Sequence, residues 1–158
     1  MVTTGDTAPD FTAPLANGSI DSITLSDQLE TEAPIVLAFY PAAFSGGCTT
    51  EMQAFQEHLD GLEAAGGTLY GVSVDLPFAN NAFREANELT FDLVCDPSRE
   101  LIDAYDVRMN FDHLGIEGVA KRSVFVVDAD GTIVFDWVSD DPGVEPDYAA
   151  VVDAVRGA

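Results

Sequence analysis

The chain has 158 residues, which suits one domain and leaves little room for a second, so we predict a single domain over 1–158. Hydrophobic residues make up 47% of the chain, enough for a core, but no apolar run reaches the roughly 18 residues of a membrane-spanning helix and no signal peptide is evident, which predicts a cytoplasmic protein. The 28 acidic residues against six basic ones give a net charge of -22, which excludes nucleic acid and anionic membranes as partners.

The first part of the chain predicts strands that alternate with helices. Residues 35–40 form a continuous apolar run, typical of a strand that is buried on both faces of a sheet. A helix is predicted over about 47–66, because apolar residues recur there at helical spacing, at Met52, Phe55, Leu59 and Leu62. The pattern continues with a strand over 68–74, a helix over 78–87 and a strand over 91–95.

The later part of the chain changes in character. Asp96 and Pro97 predict the cap and the first residue of a helix that runs to about Tyr105. Two apolar segments, 124–127 and 132–138, flank the turn sequence Asp-Ala-Asp-Gly and predict an antiparallel hairpin, after which a closing helix is expected. This order of elements predicts an α/β fold that resembles thioredoxin, a three-layer sandwich with a mixed β-sheet.

The acidic composition also predicts the solvent in which the protein works. Charges repel one another over about 10 Å at 0.1 M salt but only about 3 Å at 1 M, so a chain of this charge is destabilised in dilute buffer. Acidic residues occur along every segment, while Lys121 is the only lysine. We therefore expect a halophile with molar salt in its cells; an ordinary acidic protein is the alternative.

Cys48 is the residue best placed for chemistry. It lies in the first turn of the helix predicted after the apolar strand, where unpaired backbone N–H groups and the helix dipole favour an anion. Helix N-termini lower the pKa of a thiol from about 8.5 to between about 3.5 and 7.5, which makes the sulfur a nucleophile at neutral pH. Gly46 and Gly47 leave room for a small substrate beside it. The alternative is a buried structural cysteine.

The surrounding residues restrict the reaction that such a thiolate could perform. Glu51 stands where thioredoxin-type disulfide exchange requires a second cysteine. The two cysteines and two histidines form no zinc-site spacing, so no metal is expected. A thiolate with no base beside it still reacts well with the weak O–O bond of a peroxide. A thiol-disulfide oxidoreductase and a non-catalytic binding module remain the alternatives.

The pattern Pro41-x-x-x-Ser45-x-x-Cys48 resembles the Pro-x-x-x-Thr/Ser-x-x-Cys signature of the peroxiredoxins, the AhpC/TSA family. Three further blocks resemble that family in the same order: Gly5–Phe11, Asp96-Pro97 and Arg122–Asp128. The loop before Cys48 is most similar to the one-cysteine alkyl hydroperoxide reductase E-like subgroup, and next to the bacterioferritin comigratory protein subgroup. The resemblance implies a thiol-dependent peroxidase that needs no metal or organic cofactor.

The resemblance implies roles for five residues. Cys48 would attack the peroxide and become a sulfenic acid, and Arg122 would stabilise both the thiolate and the departing oxygen. The Ser45 hydroxyl would hydrogen-bond to thiolate and peroxide, Pro41 would wall the pocket, and Glu51 would orient the arginine. The structural alternatives are a surface arginine, a helix N-cap for Ser45, a strand terminator for Pro41 and an ordinary first-turn acid for Glu51.

Cys95 determines how the sulfenic acid would be reduced. Gln53 occupies the position where the bacterioferritin comigratory subgroup often has its resolving cysteine. Cys95 ends an apolar strand and is expected to pack in the core, so we predict an external thiol or thioredoxin-like reductant; the alternative is that Cys95 resolves Cys48, which requires their Cα atoms within about 7 Å.

The loop before Cys48 is also expected to take part in dimer formation and to influence the width of the peroxide pocket. The resemblance implies a homodimer that pairs through the loop edge containing Phe44. The width of the peroxide pocket is expected to depend on the packing of Phe44, Leu76 and Phe78.

Overall fold

A computed structural model describes residues 2–158 and contains a seven-stranded mixed sheet in the order β2-β1-β5-β4-β3-β8-β9. The first seven elements are β1 (Thr12–Ala16), β2 (Ile20–Thr24), α1 (Leu25–Glu32), β3 (Ile35–Phe39), α2 (Gly46–Ala64), β4 (Thr68–Ser73) and α3 (Pro77–Ala86). The remaining elements are β5 (Asp92–Cys95), α4 (Glu100–Ala104), β6 (Arg108–Phe111), a 3-10 helix (Asp112–Leu114), β7 (Ile116–Ala120), β8 (Ser123–Val127), β9 (Ile133–Val138) and α5 (Tyr148–Gly157).

The central strand β3 shows why the chain forms three layers. It pairs in parallel with β4 and antiparallel with β8, and all five of its residues are buried. Ile35, Leu37 and Phe39 point into the core shared with α1 and α4, whereas Val36 and Ala38 point into the core shared with α2, α3 and α5. The predicted thioredoxin-like α/β fold with a mixed sheet is therefore confirmed.

The predicted start of the helix after Asp96 was wrong. Pro97 lies in a turn, Arg99 adopts the left-handed conformation with φ 66°, and α4 begins three residues later than expected. Asp96 still satisfies the start of this helix, because its two carboxylate oxygens accept hydrogen bonds of 3.1 and 3.0 Å from the backbone N–H groups of Leu101 and Ile102. The cap therefore acts across the turn rather than from the adjacent position.

Sequence patterns missed the β1–β2 hairpin, helix α1 and a second hairpin outside the main sheet. This second hairpin consists of β6, the 3-10 helix and β7. Its attachment to the domain includes Arg99, whose Nε donates a hydrogen bond of 2.8 Å to the carbonyl of Gly118. Its tip is largely exposed, so the apolar alternation that predicts a strand is weak there. Across residues 2–158, no helix has the length and apolarity needed to span a bilayer.

Candidate active site

The loop between β3 and α2 places Cys48 at a helix start. Ser45 is the N-cap of α2, and its Oγ accepts a hydrogen bond of 3.3 Å from the backbone N–H of Cys48. Cys48 is the third residue of the helix, and its side chain is fully buried. The positive end of the helix dipole therefore lies beside the sulfur and favours its anionic form.

Pairing of β8 with β3 brings Arg122 to the same place. Ser123 lies opposite Phe39, the last residue of β3, so Arg122 precedes β8 at the edge of the sheet where α2 begins. Its Nη2 donates a hydrogen bond of 3.2 Å to Sγ of Cys48, and its Nε donates to the carbonyl of Pro142. Only 3% of Arg122 is exposed, so its charge acts on the sulfur with little screening by water.

Gly47 has a role beyond leaving room for a substrate. A Cβ atom at this position would lie 2.7 Å from Nη2 of Arg122, well inside an ordinary contact. The guanidinium is also held by its hydrogen bond to the carbonyl of Pro142, so it could not move aside without losing its present contacts. The glycine before Cys48 therefore allows the approach of Arg122 to the sulfur.

Glu51 lies one turn further along α2, against the other edge of the same guanidinium. Its Oε2 is 3.5 Å from Nη1 of Arg122, and both side chains are almost fully buried. Neither oxygen of Glu51 accepts a hydrogen bond from any residue in 2–158, so the two groups lie close together without a hydrogen bond. Burial raises the pKa of Glu51 to about 8, although the charge of Arg122 lowers it, so the carboxyl is mostly neutral at pH 7.

Replacing Glu51 with glutamine should change how stability depends on pH. The pKa of Glu51 is raised in the folded protein, from 4.5 to about 8, so the native state binds its proton more tightly than the unfolded chain does. The stabilisation from this proton is complete below about pH 4.5 and is lost as pH rises to about 8, by an amount on the order of 4 kcal/mol. We expect Glu51→Gln to remove this loss of stability. The measurement is the free energy of unfolding in urea at several pH values across that range.

The matched control for this experiment is Glu57→Gln, which removes a carboxylate from the exposed face of the same helix. Its free energy of unfolding should follow the wild-type pH curve. If the free energy of unfolding depended on pH in the same way in wild type and in Glu51→Gln, the buried carboxyl would not hold its proton more tightly than the unfolded chain does.

A cavity of about 320 Å³ adjoins the exposed side of this arrangement. Its walls include Ser45, Gly47 and Arg122 on the side of the sulfur. The remaining lining residues belong to the β6–β7 hairpin and to the segment 142–143, and not to the residues that the sequence suggested. Phe44, Leu76 and Phe78 are not among the lining residues, and their side chains are more than half exposed, at 56%, 55% and 70%.

Pro41 and Cys95 are both buried, in different surroundings. Pro41 lies two residues after the end of β3, in the loop that leads to Cys48. Cys95 ends β5, where Nδ2 of Asn80 donates a hydrogen bond of 3.3 Å to its sulfur. Burial raises the pKa of the Cys95 thiol, so its sulfur stays protonated. Both cysteines are free thiols.

A buried cysteine at a helix start, touched by a guanidinium and set in a thioredoxin-like fold, defines a class of thiol-based redox enzymes. The AhpC/TSA family model matches residues 4–136 of the chain. A peroxiredoxin of Mycobacterium tuberculosis is 39% identical over 135 residues, which are 84% of this chain and 83% of that protein. Peroxiredoxin Bcp of Bacillus subtilis is 33% identical over 138 residues, again 84% and 83% of the two chains.

The solved structures agree with these relatives. The crystal structure of peroxidoxin BcpB from Mycobacterium tuberculosis superposes with a TM-score of 0.82 at 27% identity and covers 99% of this chain and 98% of that one. The chain belongs to the AhpC/TSA family of peroxiredoxins. It is a thiol peroxidase.

Proposed function

We propose that Cys48 is the peroxidatic cysteine and that it reduces hydrogen peroxide or alkyl hydroperoxides to water or alcohol. The observation that carries this assignment is the 3.2 Å hydrogen bond from Arg122 to the sulfur at the start of α2. The thiolate attacks the terminal peroxide oxygen, an S–O bond forms and the O–O bond breaks. The departing oxygen takes up a proton, and the sulfur becomes a sulfenic acid.

The neighbouring side chains support each part of this step. Arg122 is close enough to the sulfur to stabilise negative charge on the departing oxygen as well as on the thiolate. The Ser45 hydroxyl already accepts a hydrogen bond from the backbone of Cys48, which leaves its own proton to donate to thiolate or peroxide. Buried Pro41 has no N–H group and is proposed to limit the access of water to the sulfur, although it does not line the cavity described above, while Glu51 is proposed to orient the arginine.

We assign the enzyme to the one-cysteine type, similar to the alkyl hydroperoxide reductase E-like subgroup, with an external thiol or thioredoxin-like protein as reductant. Cys95 is a poor candidate for the resolving thiol, because only a thiolate attacks a sulfenic acid efficiently and burial keeps this sulfur protonated. Asn80 also holds the sulfur in the core, and the Tyr40 hydroxyl fixes Asn80 with a hydrogen bond of 2.7 Å.

Mass spectrometry of the oxidised protein tests this one-cysteine cycle. After one equivalent of peroxide and no reductant, we expect added oxygen on the peptide that contains Cys48. The Cys95→Ser variant should give the same product, because the buried thiol takes no part. A loss of two hydrogens in the wild type that disappears in Cys95→Ser would instead identify an internal disulfide.

We also propose a homodimer formed through the patch Phe44, Leu76 and Phe78. These large apolar side chains are each more than half exposed. The loop that carries Phe44 contacts the segment that carries the other two, because the backbone N–H of Ala43 donates a hydrogen bond of 2.8 Å to Asp75 and the ring of Phe44 packs edge-on against Phe83 of α3. Pairing two copies through this patch would remove it from water.

The proposed setting is the cytoplasm of a halophile, with the chain working as a single domain. Its charge of -22 supports this, since self-repulsion is relieved only at high ionic strength. We expect the melting temperature to rise between about 0.1 M and about 1 M KCl, and by more than in sucrose of equal osmolality, which stabilises without screening charge. A melting temperature that stays flat or falls in KCl would contradict adaptation to salt.

A further inference from the structure

The position of the reactive sulfur depends on the short loop 40–45, which connects β3 to α2. Within this loop Phe44 has a φ of 68°, in the left-handed region that bulky side chains rarely adopt. A backbone in such a conformation persists only where the surrounding contacts hold it there. Ser45 follows directly and caps the helix at Cys48, so the contacts that hold the loop also set the position of the sulfur.

Two backbone N–H groups connect this loop to β4 and to the residues that follow it. The N–H of Tyr40 donates a hydrogen bond of 2.9 Å to the carbonyl of Val72, which continues the pairing of β3 with β4. The N–H of Ala43 donates a hydrogen bond of 2.8 Å to Oδ2 of Asp75. Within the described chain, this is the one hydrogen bond that joins residues 41–44 to a distant segment, so the middle of the loop depends on a single carboxylate.

Asp75 is itself held by a buried polar network. The hydroxyl of Ser73 donates a hydrogen bond of 2.8 Å to the same Oδ2, and Nδ2 of Asn80 donates one of 3.1 Å to Oγ of Ser73. The hydroxyl of Tyr40 donates a hydrogen bond of 2.7 Å to Oδ1 of Asn80. Ser73 and Asn80 have no exposed surface, so water does not compete for these hydrogen bonds. The network therefore gives the carboxylate a fixed position relative to Tyr40, where the loop begins.

We propose that Asp75 is a positioning residue for the peroxidase reaction, and that its carboxylate holds the loop before α2 so that Cys48 meets Arg122 in the geometry that attacks peroxide. The proposal rests on the assignment of Cys48 as the peroxidatic cysteine. Asp75 does not line the cavity beside Arg122, so it acts through the backbone of Ala43. The reaction rate is sensitive to such support, because a displacement of about 1 Å in a reacting group can cost about a hundredfold in rate.

Replacing Asp75 with alanine should lower the second-order rate constant for oxidation of Cys48 by hydrogen peroxide by about tenfold to a hundredfold. The measurement is quenched flow followed by mass spectrometry, which gives both the rate constant and the fraction of Cys48 that is oxidised in the fast phase. A loss of folded protein would lower that fraction. A displaced loop instead lowers the rate constant and leaves the fraction unchanged.

Two variants control for the chemistry and for the number of hydrogen bonds lost. Asp75→Asn should restore most of the lost rate, because the amide oxygen can accept the same two hydrogen bonds. Asp136 on β9 accepts hydrogen bonds of 2.8 and 2.6 Å from the backbone N–H and the hydroxyl of Thr4. Asp136→Ala therefore removes the same two kinds of hydrogen bond outside the loop, and it should react like wild type.

Ser73→Ala is a milder second variant, which removes the hydroxyl that holds Asp75. It should lower the rate constant less than Asp75→Ala does, and it should add no further loss in the double variant, because both changes act through the same contact. An unchanged rate constant in Asp75→Ala, or in Ser73→Ala if Asp75→Ala does not fold, would overturn the proposal, as would an Asp75→Asn variant as slow as Asp75→Ala. Failure of the underlying assignment gives a different result, since peroxide reduction would then persist in Cys48→Ser.

Discussion

Replacing Cys48 with serine should abolish peroxide reduction, with a loss of about a thousandfold or more. A serine hydroxyl is not ionised at neutral pH and is a weaker nucleophile, even with Arg122 at 3.2 Å from the position of the sulfur. The measurement is peroxide consumption with excess dithiothreitol as the external thiol. The change in side-chain volume is small, so the variant is expected to fold.

The control for this variant is Cys95→Ser, which removes the other thiol from the end of β5. It should consume peroxide at close to the wild-type rate, because Cys95 is buried away from the cavity that adjoins Arg122. Continued rapid turnover in Cys48→Ser, or loss of turnover in Cys95→Ser instead, would show that Cys48 is not the sulfur that reduces peroxide.

Replacing Arg122 with methionine should reduce kcat/KM for peroxide by about a hundredfold to a thousandfold, the usual effect of removing one donor that stabilises a transition-state charge. Methionine has a comparable length but no charge, so the thiolate and the departing oxygen both lose their only buried guanidinium contact within the described chain.

Two further variants separate charge from geometry. Arg122→Lys keeps the positive charge but cannot donate to the sulfur and to the carbonyl of Pro142 from one planar group, so an intermediate rate is expected. Arg156→Met removes an exposed arginine that pairs with Asp153 on α5, and it should react like wild type. A wild-type rate in Arg122→Met would show that the guanidinium contact has no catalytic effect.

Local sequence is sufficient to place Cys48. A buried apolar strand, a loop of small residues and a helical apolar pattern fix the cysteine in the first turn of a helix, and α2 begins at Gly46, one residue from the predicted start. The approach of Arg122 depends instead on the register of β8 against β3, across a sequence separation of 74 residues. Only the resemblance to peroxiredoxins indicated that pairing in advance.

Other features of the site depend on packing that local patterns do not encode. An acid in the first turns of a helix is usually solvated, and nothing in the sequence around Glu51 predicts that its carboxyl is fully buried and mostly neutral. The apolar wall of the cavity comes from Phe111 and Leu114, in a short hairpin whose exposed tip gives no clear strand pattern. The sequence therefore suggested Phe44 and its neighbours, which are apolar but face elsewhere.

Competitive alkylation of the two thiols tests the central claim most directly, because a sulfur stabilised as a thiolate by a guanidinium reacts faster with iodoacetamide than a buried protonated thiol. Peptide mass spectrometry should find the label on Cys48 and not on Cys95, and prior treatment with one equivalent of hydrogen peroxide should block it. Equal labelling of both cysteines, or labelling of Cys48 that peroxide does not prevent, would contradict a reactive thiolate held at the start of α2 by Arg122.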